Sequence, residues 1–145
     1  MKKTIFAILV CGVMVLGLTG CGKTKTYAVN EEIEYKGIKI IFSSEYEVKT
    51  DRDGYEVKIP IEIRNTSDST YDVEKNGPYF DVYTPSGISQ STYNKGYLET
   101  WGQIKIKSNA TLKDIIKFKT KELGEYTFES SDGKIKISYN IEVTN

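Results

Sequence analysis

A chain of 145 residues with no histidine has few routes to catalysis. Without imidazole there is no Ser-His-Asp or Cys-His arrangement, no histidine-ligated zinc and no histidine general base. Asp51, Asp53 and Glu56 stand at i, i+2 and i+5 around Gly54. Calcium loops use such alternation because successive carboxylate oxygens converge on one ion. The further oxygens and late glutamate of that loop are missing, so the same residues read as a hairpin turn. Thr92 and Lys95 have Ser-x-x-Lys spacing, but the threonine sits in a Gly/Ser/Tyr-rich loop and the partner elements are missing. Other Asp and Glu residues could form a glycosidase pair. Nothing in their spacing marks two of them, and on strand faces they read as solvation. The expectation is a protein without enzymatic activity, cofactor or metal.

Recognition is the other chemistry on offer. The segment from Tyr79 to Trp101 holds Tyr79, Phe80, Tyr83, Tyr93, Tyr97 and the single tryptophan, interspersed with Pro85, Gly87, Gln90, Asn94 and Gly96. Tyrosine and tryptophan in polar loops give large amphipathic contact area at low entropic cost. Tyr93, Tyr97 and Trp101 are therefore the candidate residues for binding a ligand or partner. The competing reading makes Phe80, Val82 and Trp101 core residues. With 20 basic and 20 acidic side chains, the chain lacks the basic excess that nucleic acid requires.

Cys21 carries the remaining chemistry. Lys2 and Lys3 precede an apolar stretch from Ile5 to Leu18, too short for the roughly 20 residues of a membrane span but suited to a secretion signal. Leu18-Thr19-Gly20-Cys21 then resembles the bacterial lipobox, whose cysteine is lipidated and becomes the new N-terminus. Cys11 is no rival, since Val10 before it is too bulky. The expected organisation is a lipoprotein signal peptide at 1–20, a lipidated N-terminus and short tether at 21–30, and a domain at 31–145. Cys11 leaves with the signal and Cys21 is alkylated, so the mature chain has no disulfide. The protein is expected on the outer face of the cell membrane, the bilayer its partner through the anchor. Gly22 to Asn30 would reach roughly 30 Å, with Lys23 and Lys25 free to meet anionic headgroups or water.

The domain must be positioned by strands. Tyr55, Val57, Ile59, Ile61 and Ile63 alternate with polar residues and Pro60, and Ile135, Ile137, Tyr139, Ile141 and Val143 alternate likewise, the period of a half-buried strand. Ile38–Phe42 and the run to Val48 read as one long strand. Shorter strands are expected at 33–35, 70–73, 79–83, 104–106, 112–119 and 126–128, with no helix after Asn30. Asp51-Arg52-Asp53-Gly54, Ser131-Asp132-Gly133-Lys134, Lys36-Gly37, Pro85-Ser86-Gly87 and Leu123-Gly124 mark the corners. Pro60 lacks an N–H, which puts its strand at a sheet edge or breaks the ladder there. The pattern predicts an all-β fold, an antiparallel β-sandwich of seven to nine strands.

Taken together, Ile38–Phe42, the strand ending Ile61-Glu62-Ile63-Arg64-Asn65-Thr66-Ser67, Tyr79–Tyr83 followed by Gly87, Ile115–Lys119 and the closing strand resemble small Gram-positive lipoproteins. Those proteins carry a telokin-like, immunoglobulin-like domain of unknown function, similar in fold to a secreted immunoprotective antigen of mycobacteria. One position departs: where the family has a Pro-Gly turn, this chain has Ser108-Asn109-Ala110-Thr111, and asparagine also adopts the left-handed region. The resemblance implies an immunoglobulin-like fold and an address, with no active site. The expected function is a membrane-anchored binding module at the cell envelope, with an envelope protein or cell-wall polymer as partner. The alternatives are an accessory structural subunit of a membrane complex, and a wall hydrolase with unrecognised carboxylates.

Overall fold

The alternating segment around Ile59 forms the spine of one sheet in a computed structural model of the chain, which describes residues 22–90 and 104–143. In chain order the elements are β1 (Lys25–Tyr27), β2 (Glu32–Tyr35), β3 (Ile38–Phe42), β4 (Glu47–Asp51), β5 (Gly54–Asn65), β6 (Tyr71–Asp72), α1 (Val73–Asn76), β7 (Phe80–Tyr83), β8 (Ser89–Gln90), β9 (Lys105–Ile106), β10 (Thr111–Thr120), β11 (Gly124–Ser130) and β12 (Ile135–Ile141). One sheet has the order β1-β12-β11-β7-β8. The other runs β10-β5-β3-β2, with β4 also paired to β5, and β6 and β9 form a separate two-stranded ribbon. This is the predicted sandwich, and among the described residues nine strands remain when the two-residue β6, β8 and β9 are set aside. Among the described residues no helix is long and apolar enough to cross a membrane.

Both strongly alternating segments turn their apolar stripes inward. Val57, Ile59, Ile61 and Ile63 on β5, and Ile137, Tyr139 and Ile141 on β12, are buried. Phenylalanines join the sheets. Phe42 of β3 meets Phe80 of β7 edge-on at 5.1 Å, and Phe118 of β10 lies 5.3 Å from Tyr126 of β11. Phe128 stands between Phe42 and Phe118, at 5.9 and 6.1 Å. Phe80 and Val82 are thus core. Each such side chain contributes about 1.5–3 kcal/mol by leaving water.

Several expectations change. The long strand through Val48 is two strands separated at 43–46, both paired to β5. The cause is Pro60. Continuing the β3–β5 register sets Ser43 opposite Pro60, whose carbonyl accepts from the Ser43 N–H at 3.0 Å. The reciprocal bond needs a nitrogen proton that proline lacks. β5 is therefore a central strand with its ladder broken on one side, rather than an edge. A single helical turn, Val73–Asn76, follows Asp72, whose side chain caps the Lys75 N–H. Val143 lies beyond β12 and is exposed.

The stretch assigned to a tether is also different. Lys25–Tyr27 adds to β12 as a parallel strand, Lys25 opposite Ile135, whereas the other strand pairs among the described residues are antiparallel. The Thr24 hydroxyl donates to the Gly133 carbonyl and the Lys25 N–H to the Lys134 carbonyl. Val29 packs on the core, and Lys25 sits 4.3 Å over the Tyr27 ring. The sandwich thus begins four residues after Cys21.

Asn65 explains why β5 ends in Asn-Thr-Ser. Its side chain is wholly buried. The amide nitrogen donates to the carbonyls of Ser69 and Ile106, and the amide oxygen accepts from the Ser67 N–H and hydroxyl. Asn109, at φ 60, takes the left-handed turn expected of it, and its N–H donates to the Asn65 carbonyl.

Candidate functional site

Three connections converge at the end of the sandwich where β5 begins. The β4–β5 hairpin turns through Arg52 and Asp53, with Asp51 opposite Gly54. Only glycine fits there. Its φ is 151°, and a Cβ would lie 2.2 Å from the Thr120 carbonyl oxygen of β10. The β7–β8 hairpin closes through Thr84, whose N–H donates to the Ile88 carbonyl at 3.0 Å and whose carbonyl accepts from the Gly87 N–H at 2.8 Å. The β10–β11 link is held by Tyr126, which donates to the Glu122 carbonyl at 2.6 Å, and by Thr120, which accepts from the Glu122 N–H.

The Glu122 carboxylate ties two of these connections together by accepting from the Ser86 N–H and hydroxyl. Between them lies a groove of about 600 Å³, lined among others by Asp51, Asp53, Tyr55, Ile88, Lys119 and Glu122. Ile88 is 63% exposed at its rim. The Lys119 ammonium pairs with Asp51, and that hydrogen bond, with a second from the Arg52 N–H, holds the Asp51 carboxyl below its ordinary range. An ionised, paired aspartate suits the orientation of a charged ligand rather than proton donation. Glu56 is engaged by Lys117 and Lys58. The Asp51–Glu56 segment is therefore a hairpin whose Asp51 and Glu56 carboxylates are paired with lysines. Among the described residues no group of three or more Asp, Glu, Cys or His side chains is placed to hold a metal ion.

The groove lies at one end of the molecule and the chain's entry at the other. β1 begins beside the β11–β12 turn. That turn shares its end with Lys36-Gly37, since Tyr35 donates to Asp132 at 2.9 Å. The 66–69 turn is there too, because the Thr66 N–H donates to the Gly37 carbonyl. β5 runs from Gly54 beside the groove to Asn65 at the entry end, which separates the two by roughly 35–40 Å.

Cys21, Tyr93, Tyr97 and Trp101, the residues singled out from the sequence, lie outside the described residues. The groove was only half legible. The Asp51–Gly54 turn stood out, whereas Lys119, Glu122 and Ile88 carried no local signal and arrive from other strands.

No protein-family model and no curated protein sequence matches this chain. Solved structures do. A conserved hypothetical protein of Bacillus anthracis superposes with a TM-score of 0.55 at 9% identity, covering 80% of this chain and 95% of that one. An uncharacterised β-sandwich protein of Clostridium difficile gives a TM-score of 0.52 at 13% identity, over 87% and 99%. The chain is thus similar in fold to uncharacterised β-sandwich proteins of Gram-positive bacteria.

Proposed function

We propose that this chain is an extracytoplasmic lipoprotein, lipidated at Cys21, whose sandwich is a non-enzymatic binding module at the cell envelope. On this reading it stands with the Gram-positive lipoproteins carrying telokin-like, immunoglobulin-like domains, and its partner is an envelope protein or wall polymer. The supporting observation is the polarity of the molecule. The chain enters at one end, four residues after the lipobox cysteine, and the groove of Asp51, Tyr55, Ile88 and Lys119 lies at the other. An anchor of two or more acyl chains holds essentially permanently, so the groove faces outward from the bilayer.

Two measurements test this. Cys21→Ala should abolish incorporation of a fatty-acid probe and release the protein from the membrane fraction; persistent labelling sinks the anchor. A photo-crosslinking residue at Ile88 should capture a partner in intact cells, while one at Ile115, exposed on the outer face of β10, should not. The reverse result favours an accessory subunit docking through its sheet.

A further inference from the structure

The entry end is crowded with lysines. Lys23 and Lys25 lead into β1, and Lys134 is beside them because its carbonyl accepts the Lys25 N–H at 2.8 Å. Lys36 joins through the Tyr35–Asp132 hydrogen bond. Lys107 joins through Ser108, whose hydroxyl donates to the Ser67 carbonyl at 2.7 Å. All five are exposed. Against them this end places Asp68, Asp132, Glu34 next to Tyr35, and Glu74, whose carbonyl accepts from the Tyr79 hydroxyl beside the β11–β12 turn; Asp132 is engaged by the Tyr35 and Ser130 hydroxyls and by Lys134 at 4.0 Å. The groove end has the opposite balance: Asp51, Asp53, Glu122, Glu125 and Glu142 against Arg52, Lys119 and Lys121. A nearly neutral chain is therefore charge-polarised along its length.

We infer that the lysine end is a docking face for an anionic phospholipid surface, so that the sandwich stands end-on with its groove outward. This rests on the lipid-anchor reading for its geometry. Only residues 22–24 separate Cys21 from β1, a reach of about 10 Å. That is close to the screening length at physiological salt, so the anchor delivers these lysines to where the surface field acts. The acidic far end, roughly 35–40 Å away along β5, lies beyond the reach of that screened field, so the lysines beside the anchor set the orientation.

The sandwich closes within Lys25–Ile141, so the chain from residue 21 carrying Cys21→Ala can be tested without its lipid. It should co-sediment with phosphatidylglycerol-containing vesicles at low salt and not with pure phosphatidylcholine vesicles, and high salt should release it. Lys36→Gln with Lys134→Gln should weaken partitioning about 25-fold, near fivefold per lysine. Lys49→Gln with Lys113→Gln makes the same change of net charge on the outer sheet face and should leave partitioning unchanged. Equal binding to neutral vesicles, or an equal loss from both pairs, overturns the docking face. Absence of vesicle binding by this unlipidated chain, with Cys21 of the full chain labelled by the fatty-acid probe in cells, refutes docking alone. Vesicle binding by it, with no labelling of the full chain, refutes the anchor and leaves docking standing.

Discussion

The hydroxyl of Tyr139, on β12, donates at 2.7 Å to the carbonyl of Ser43 in the opposite sheet. That carbonyl is the one that Pro60, with no N–H, leaves without its ladder partner. Tyr46 fastens the same break, donating to the Asn140 carbonyl at 3.0 Å and accepting from the Glu142 N–H at 3.1 Å. The interruption of one sheet is thus closed by the other. Tyr139→Phe should cost about 1–2 kcal/mol, the range for a carbonyl left unmet in partly buried surroundings. In a Pro60→Ala background, where residue 60 regains a donor, the loss should be smaller. Denaturant midpoints of the four proteins in this cycle measure the coupling; strict additivity would mean that Tyr139 does not substitute for the missing ladder bond.

Asn65 should tolerate no replacement. Asn65→Ala removes a side chain making four hydrogen bonds at a fully buried site, and should cost about 2–4 kcal/mol by orphaning its partners. Asn65→Asp should be no better at neutral pH, because a carboxylate cannot donate to the Ser69 and Ile106 carbonyls. Urea unfolding monitored by far-ultraviolet dichroism reads both.

Core and surface on one strand should separate cleanly. Ile61→Ala or Ile137→Ala should cost about 2–5 kcal/mol through lost transfer energy and the cavity left behind, since both side chains are buried. Glu62→Ala or Lys136→Ala should shift stability by only about a few tenths of a kcal/mol, although Glu62 pairs with Lys113 at 3.0 Å. Equal costs in the two pairs would overturn the register of β5 and β12.

Stability should fall in alkali. Burial pushes the Tyr71 phenol up to about 12, and burial likewise raises Tyr35, Tyr126 and Tyr139. The folded state therefore holds phenolic protons that the unfolded chain releases near pH 10. Their stabilising contribution is complete below about pH 10 and is lost as pH rises from there through the folded value, about 12 for Tyr71. Tyrosinate absorbance should lag model tyrosine and rise together with unfolding. In Tyr71→Phe the decline of stability above about pH 10 should be shallower; an unchanged slope would show that Tyr71 is not among the groups responsible.

The amino-acid order alone determined the class of fold, because period-two alternation is a local property and survives wherever the strand is placed. It also determined the turns at Lys36-Gly37, Asp51–Gly54 and Ser131–Lys134, where glycine and aspartate set backbone conformation within a few residues. Tertiary structure decided what depends on distant partners. Lys25-Thr26-Tyr27 has no alternation to mark it, and becomes a strand only because β12 presents an open edge beside it. Pro60 announced a broken ladder, but the side of the break, and Tyr139's part in closing it, required the opposite sheet. The groove followed the same rule. Asp51 was visible from its turn, whereas Lys119 is 68 residues away in sequence and Glu122 reaches Ser86 across 36. Side chains that far apart carry no shared local pattern, and only the pairing of β4, β5 and β10 and the packing of the two hairpins bring their charges together.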